Sequence, residues 1–292
     1  GCDFMCSFCV IPFARGRARS RDWDDLFAEA DGMISKGVRE IVLTGVNLGT
    51  YSSNGQNFLR LIDSLSELKG LDRLRISSIE PTTIPHELLG MMADSSHCLM
   101  PYLHVPLQSG CDKILTLMKR KYQLQEMHDF FIQSQEVVPN LCLGTDLMTG
   151  FPGETEEDFQ ETCETFLTFP FSYCHVFTYS EREGTAAARS DAHIPMQERR
   201  SRSSYLRSLS SSKRMDWHTE HCGKELRVLV ENPKNNCVFG YSDHYLKVMI
   251  PDQGAEIANH FATVLVEEAR PEYCVGKILS LIHISEPTRP NE

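Results

Sequence analysis

Three cysteines open the chain. Cys2, Cys6 and Cys9 stand at CxxxCxxC spacing in Gly1-Cys2-Asp3-Phe4-Met5-Cys6-Ser7-Phe8-Cys9. Thiolates are soft ligands, and three of them in one short loop draw the backbone around a metal centre. A closed structural zinc site or a fully ligated iron–sulfur cluster takes four protein ligands, and this loop supplies three. Two readings follow. One is a [4Fe-4S] cluster whose fourth iron is left open for a substrate or cofactor. The other is a zinc knuckle completed by a distant Cys or His. Spacing alone does not choose between them. The other cysteines, Cys98, Cys111, Cys142, Cys163, Cys174, Cys222, Cys237 and Cys274, show no paired spacing. Several lie in apolar runs, where a free Cys behaves as a small hydrophobe. This is the usage of a reducing compartment and predicts a cytoplasmic protein, not a disulfide framework.

The formal net charge of −11 excludes a protein that is basic overall, so any nucleic-acid contact must come from local patches. One patch follows the cysteine loop: Arg15, Arg17, Arg19 and Arg21 alternate with small residues around Gly16. It reads either as a solvated loop or as a phosphate or carboxylate contact beside the metal. No signal peptide and no apolar run of membrane-spanning length is present, so no membrane partner is expected.

Helical and strand periods then alternate. Asp22 is placed to cap a helix with Trp23, Leu26, Phe27, Ala30, Met33 and Ile34 on one face, closed by Gly37. Residues 40–44 read as a buried strand, Phe58 to Leu68 as a helix, and 74–77 as a strand. Ile84–Met92 reads as a helix with Pro85 in its first turn, and 102–106 as a strand. Helices follow at 112–118 and 124–135, then a strand at 141–147. A helix at 155–167 turns Phe159, Cys163, Phe166 and Leu167 inward, and a strand covers 173–178. Alternation of this kind predicts a parallel α/β sheet. One more strand before Gly1 would complete six β/α units, so the expectation is a partial (β/α)6 barrel lacking its first strand, in a chain that begins inside a longer protein.

In such barrels chemistry gathers at the C-terminal ends of the strands. Here those ends carry Thr44-Gly45-Val46-Asn47, Ser77-Ser78-Ile79-Glu80-Pro81, Leu107-Gln108-Ser109-Gly110, Thr145-Asp146 with Gly150 to Thr155, and Tyr179 to Thr185. One polar strand end is ordinary loop chemistry, whereas five in series describe a ligand-lined mouth. Gly153 to Asp158 reads equally well as an acidic helix start favoured by the helix dipole.

From Glu198 the composition changes. Arg199, Arg200, Arg202, Arg207, Lys213 and Arg214 fall in a Ser-rich stretch without an acid between Arg199 and Arg214, with Tyr205, Leu206 and Leu209 as a thin apolar stripe. This predicts a basic linker helix, either a solvated face or a nucleic-acid contact. Alternating runs at 225–231, 245–250 and 261–266, separated by turn clusters at 232–236 and 251–254, predict a small antiparallel β-barrel. The expected division is 1–195, 196–217 and 218–279. Residues 280–292 have no helical or strand period and are set aside as a non-native tail.

Taken in order, these segments resemble a known family. The loop, with Phe8 directly before Cys9, is similar to the cluster loop of the radical S-adenosylmethionine (SAM) superfamily. Together with Arg15–Arg21, VLTGVNLGTY at 42–51, RISSIEP at 75–81, LHVPLQSG at 103–110, GTDLMTGFPGE at 144–154 and FPFSYCHVFTY at 169–179, it resembles the radical SAM methylthiotransferases. VLTGVNLGTY and FPFSYCHVF are most similar to the branch acting on N6-threonylcarbamoyladenosine of tRNA. The C-terminal barrel resembles a TRAM domain.

The resemblance implies that Cys2, Cys6 and Cys9 hold a [4Fe-4S] cluster that binds SAM, with no catalytic residue beyond them. It implies cofactor contacts at Phe8, Gly45, Asn47, Ser78, Glu80, Gln108 and Asp146, while the local positive charge in an acidic chain predicts RNA contacts at Arg15, Arg17, Arg199, Arg200 and Arg202. The implied reaction inserts a methylthio group at carbon-2 of the modified adenosine next to the anticodon, with SAM as radical source and methyl donor. The partners would be tRNA and an electron donor such as flavodoxin or ferredoxin. The family also has an N-terminal domain with three cysteines for an auxiliary [4Fe-4S] cluster that handles sulfur. That domain is not in this sequence, so the chain by itself is expected not to complete the reaction. Glu183 departs from the family, which often has Pro there. The nearest rivals are the same chemistry on isopentenyl-adenosine of tRNA or on a ribosomal-protein aspartate, and, in a different class, a non-catalytic zinc-containing RNA-binding protein.

Overall fold

In the computed structural model, which describes residues 1–231, 237–251 and 257–282, the predicted alternation forms. Its elements are α1 (Ile11–Arg15), α2 (Trp23–Ile34), β1 (Glu40–Leu43), a short hairpin of β2 (Ser52–Ser53) and β3 (Gln56–Asn57), α3 (Phe58–Ser66), β4 (Arg73–Ile76), α4 (Glu87–Ala93) and β5 (Tyr102–His104). There follow α5 (Asp112–Leu117), α6 (Leu124–Val137), β6 (Cys142–Thr149), α7 (Glu156–Thr168), β7 (Tyr173–Thr178) and the long α8 (Met196–Glu220). Beyond them lie β8 (Glu225–Val230), β9 (Cys237–Ser242), β10 (Lys247–Pro251), β11 (Phe261–Ala269) and β12 (Cys274–Ile282). Two compact units result, Gly1–Lys213 and Arg214–Glu292.

The first unit is an α/β fold. Its helices begin where the local chemistry dictates: the Asp22 carboxylate accepts from the Asp24 and Asp25 amides, and Asn57 accepts from Arg60. Thr155 and Asp158 form a capping box at α7, so Gly153 to Asp158 is a helix start. Gly37 takes φ +89° after α2, a region few side chains tolerate. Phe58, Leu61, Ile62 and Leu65 of α3 and Phe159, Cys163 and Phe166 of α7 enter one core with Leu74, Ile76, Leu103, Leu143 and Leu147 from the strands. Leu167, expected inward, is half exposed, because it falls just past the buried stripe of its helix.

Several details differ from the sequence reading. The parallel strands form two ladders, β1–β4 and β5–β6–β7, instead of one. They are joined by an isolated bridge, Leu74 to Leu99, with Leu74 N–H donating to Cys98 O and Met100 N–H to Leu74 O, and by Ile79 N–H donating to His104 O. β1 pairs with β4 alone among the described residues, and Val42, expected in a buried strand, is 47% exposed. Residues 11–15, read as loop, form a helical turn and a half with Pro12 in its first turn. α4 starts later than predicted, because Ile84, directly before Pro85, is extended (ψ +115°), as a residue preceding proline favours.

α8 accounts for the largest correction. Two of its serines, Ser203 and Ser210, are buried against the strands, while Ser201, Ser204, Ser208, Ser211 and Ser212 are exposed. Ser203 Oγ bonds Thr149 and Thr178 at 2.6 Å each, and Ser210 Oγ bridges the backbone N–H and C=O of Cys174. Arg199 and Arg202, expected to contact RNA, are buried on the same face. Arg199 donates to Glu181 (2.6 Å) and to the carbonyls of Tyr179 and Ile194. Arg202 pairs with Glu154 at 2.6 Å and also with Glu156 and Glu198. Their charges are committed to carboxylates inside the first unit. Arg200, pointing the other way, is exposed. Lys213 donates to the carbonyls of Phe166 and Phe169 at the end of α7, where the helix dipole favours a cation.

The second unit contains a closed five-stranded barrel in the order β10-β12-β11-β8-β9. Leu226, Val228, Val230, Val238, Val248, Ile250, Ala262, Val264, Val266 and Cys274 fill it, as the two-residue strand period requires. The barrel is not wholly antiparallel, since β10 and β12 pair in parallel through Val248–Cys274 and Met249–Val275. β9 and β12 were not legible in the sequence. Ser280, Leu281 and Ile282, set aside as tail, pair with Thr263, Ala262 and Phe261. The turn clusters at 232–236 and 252–254 and the rest of the tail, 283–292, lie outside the described residues.

Two measurements check this packing. A Cβ at Gly240 would collide with the backbone oxygen of Leu229, which a strand cannot withdraw. Gly240→Ala should therefore cost about 1–3 kcal/mol, read as a lower urea midpoint for the barrel. Removing one partner of a buried ion pair costs about 3–5 kcal/mol, whereas an exposed change stays within about 0.5 kcal/mol. Arg202→Met should accordingly destabilise the first unit strongly and Arg200→Met scarcely at all. Equal effects would mean that Arg202 is not buried with Glu154.

Candidate cofactor site at the strand ends

The cysteine loop is seated on the C-terminus of α5. Ser7 N–H donates to Met118 O (3.0 Å) and Ser7 Oγ to Leu117 O (2.7 Å), while Ala187 N–H donates to Ser7 O (2.8 Å). A turn from Cys9 N–H to Cys6 O, and Cys2 N–H to Gly16 O, hold the rest of the loop. Cys2, Cys6 and Cys9 are half-buried free thiols. Phe8 packs edge-on to Phe151, 6.4 Å between ring centres, in a small apolar cluster with Met148 and Tyr179.

The most connected group at the site is one the sequence did not single out, Arg120. Its Nη1 donates to Cys6 Sγ at 3.4 Å, and its Nη2 to both oxygens of Glu80 (2.7 and 2.9 Å) and to Pro106 O. Its Nε donates to Tyr122 Oη, which donates in turn to Leu107 O. Burial pushes the Cys6 thiol up, and the neighbouring guanidinium offsets part of that rise. Glu80 is likewise raised by burial and partly restored by Arg120. Arg120 lies in Lys119-Arg120-Lys121, a run that in sequence is indistinguishable from a solvated basic turn.

Gln108 and Asp146 are brought together through the backbone. Gln108 N–H donates to Asp146 O (2.7 Å), and Met148 N–H to Gln108 O (2.8 Å), with Gln108 at φ +71°. Ser78 is half-buried in the segment that carries Glu80. Gly45 and Asn47 line a cleft of about 430 Å³ beside β1, together with Arg15 and Thr44. Asn47 Oδ1 accepts from Thr83 Oγ1 at 3.2 Å. Arg17 is exposed and paired with Asp3.

Asp146 lies mid-strand, not at a strand end, and is flanked by two residues the sequence reading passed over. His104 Nε2 is 2.9 Å and His175 Nδ1 3.3 Å from its Oδ1. Burial by itself would raise this carboxyl, but the hydrogen bonds from His104 and His175 outweigh it and hold the group at about 2. The signal was in the sequence: Tyr102/His104, Gly144/Asp146 and Tyr173/His175 each sit two apart, and so on one face of three paired strands.

The donor set of the loop suits a thiolate-bound metal group. Three thiols are close in sequence, and a guanidinium is aimed at one of them. Outside the loop, burial pushes Cys98 and Cys163 up to about 11, and Cys111 and Cys274 to about 12, the behaviour of inert structural thiols.

Comparisons with known proteins agree with this geometry. Residues 1–166 match the Radical SAM superfamily. The chain is 36% identical over 257 residues to the threonylcarbamoyladenosine tRNA methylthiotransferase MtaB of Bacillus subtilis (strain 168), covering 85% of this chain and 57% of that protein. It is 32% identical over 279 residues to the tRNA-2-methylthio-N(6)-dimethylallyladenosine synthase of Endomicrobium trichonymphae, covering 96% and 66%. The chain thus spans 57% and 66% of the lengths of these two curated relatives. Among solved structures, the radical S-adenosylmethionine methyltransferase TsrM of Kitasatospora setae, with cobalamin and a [4Fe-4S] cluster bound, is similar in fold. Its TM-score is 0.54 at 17% identity, over 72% of this chain and 45% of that one. With the family match running through the cysteine loop, β1 to β6 and most of α7, the chain belongs to the radical SAM superfamily.

Proposed function

We propose that the chain is the radical core and RNA-binding barrel of a tRNA methylthiotransferase. It acts at carbon-2 of N6-threonylcarbamoyladenosine next to the anticodon. The observation that carries this reading is the cysteine loop seated on the α5 terminus with Arg120 joining Cys6 to Glu80. The similarity to tRNA methylthiotransferases across both units supports it.

Cys2, Cys6 and Cys9 would hold a [4Fe-4S] cluster. When bound, that cluster supplies, with SAM, a carbon-centred radical able to abstract hydrogen from an unactivated carbon. The chain's own contribution is positional. Arg120 keeps a positive charge beside the Cys6 sulfur and fixes the ends of β4 and β5 through Glu80 and Pro106. Phe8 and Phe151 shield the loop from water on one side. Gly45, Asn47, Ser78 and Gln108 offer polar contacts for SAM, whereas the Asp146 carboxylate, also expected there, is turned to His104 and His175.

For RNA, the reading rests on the second unit, which resembles a TRAM domain. Tyr241 stacks on Tyr245 at 4.8 Å, Lys247 lies over Phe239 and Arg270 near Tyr273. Aromatic planes interleaved with cations are a surface on which bases stack and phosphates pair. Arg15, Arg17 and Arg200 remain candidates for RNA contact, whereas the buried Arg199 and Arg202 are withdrawn. The reading also includes an auxiliary [4Fe-4S] cluster outside residues 1–292 as sulfur source, a flavodoxin or ferredoxin as electron donor, and a cytoplasmic location.

Deleting the gene that encodes this chain should abolish the 2-methylthio derivative of N6-threonylcarbamoyladenosine in total tRNA, as read by nucleoside mass spectrometry. Restoring the gene with Cys6→Ala should not bring it back, and that protein, reconstituted anaerobically, should lose most of its iron. An unchanged nucleoside profile in the deletion strain would overturn the assignment. Loss of the 2-methylthio isopentenyl nucleoside instead would move the substrate to the dimethylallyl branch.

A further inference from the structure

The radical chemistry proposed above makes no use of the imidazoles of His104 and His175, yet the fold converges both on one carboxylate oxygen. We infer that His104 Nε2, Asp146 Oδ1 and His175 Nδ1 form a binding site for a divalent transition-metal ion of the zinc or cobalt class, separate from the cysteine loop.

The first support is distance. The three ligand atoms lie within 4.8 Å of one another, and two of the separations are 2.9 and 3.3 Å. Nitrogen and oxygen ligands bind zinc at about 2.0–2.2 Å, so in a tetrahedral site neighbouring ligand atoms are roughly 3.3 Å apart. The two separations to Asp146 Oδ1 are thus close to that spacing, and the third pair, the two imidazole nitrogens, lies within 4.8 Å.

The second support is the order imposed by the strands. β5, β6 and β7 pair in parallel with His104 opposite Gly144 and Asp146 opposite His175. All three ligands thus stand on rigid strand positions, which hold a coordination geometry better than a loop does. Gly144 is the residue that makes the arrangement possible. A Cβ there would lie 2.5 Å from the Tyr173 ring and 2.8 Å from His104 Nδ1.

The third support is the outer partner. Metal-binding imidazoles use one nitrogen for the ion and anchor the other by a hydrogen bond. His104 Nδ1 is 3.5 Å from Tyr173 Oη, which is 2.8 Å from Tyr102 Oη. The two imidazoles lie nearly parallel, 5.0 Å between ring centres. The His175 side chain is 55% exposed, so an ion has a route in and a coordination position remains for water or an oxygen ligand. Two neutral imidazoles and a carboxylate leave a divalent ion with net positive charge, and their nitrogen and oxygen atoms favour zinc or cobalt over the softer ions that thiolates select.

The test uses Co²⁺ alone as probe, on the full chain with Cys2, Cys6 and Cys9 all changed to Ala so that the loop thiols cannot compete. This protein should bind about one equivalent of Co²⁺, with visible ligand-field bands and without thiolate charge transfer. Adding His175→Ala, at an exposed position whose loss leaves the core intact, should weaken binding at least about tenfold with an unchanged circular dichroism spectrum. Absence of Co²⁺ binding would overturn the inference, as would equal affinity in the His175→Ala chain.

Discussion

The first unit depends on the guanidinium of Arg120. A buried cation loses several kcal/mol of hydration and is tolerated only when its donors are all answered. Here the answers come from four parts of the chain: Glu80 after β4, Pro106 after β5, Tyr122 ahead of α6, and Cys6 in the opening loop. Each partner is held by the same cation, so the loop cannot drift without exposing a charge to an apolar surrounding. A soft, ligand-bearing loop thereby acquires the rigidity of the strand ends.

What could be read in the sequence was whatever follows from chain period. α2, α3, α7 and β7 stood within a residue or two of their predicted bounds, because apolar spacing and capping residues act locally. The cysteine loop was legible because three thiols in nine residues have few uses. The destination of charged side chains was not legible. Arg199, Arg200 and Arg202 are chemically the same in sequence, and only the approach of Glu154 and Glu181 from elsewhere in the chain separates the buried pair from the exposed one. Arg120 was missed for the same reason. β9 and β12 were missed because Gly240 and Gly276 interrupt their apolar alternation. Both glycines sit where a neighbouring strand leaves no room for a Cβ, a fact of tertiary structure and not of pattern.

α8 shows how a polar composition can still pack. A serine contributes little bulk, so helix and strand approach closely, and its hydroxyl satisfies the backbone groups left along the strand, as Ser210 does for both polar atoms of Cys174. Leu206, fully buried, supplies the apolar contact between those hydroxyls. Low hydropathy along this helix therefore marks tight backbone approach on one face, not solvation all round.

The parallel seam between β10 and β12 bears on how the second unit is made. β8 to β11 can begin to pair through neighbours as they are synthesised, but β10 is closed on its far side only by Val248–Cys274 and Met249–Val275. Non-local pairings of this kind form late and slowly, since the intervening chain must be ordered first. During synthesis the barrel stays open until its final strand has emerged, so β12 acts as the latch for the whole unit. A nascent chain arrested before that strand would hold an apolar barrel lining, Val248 and Val264 among it, against water.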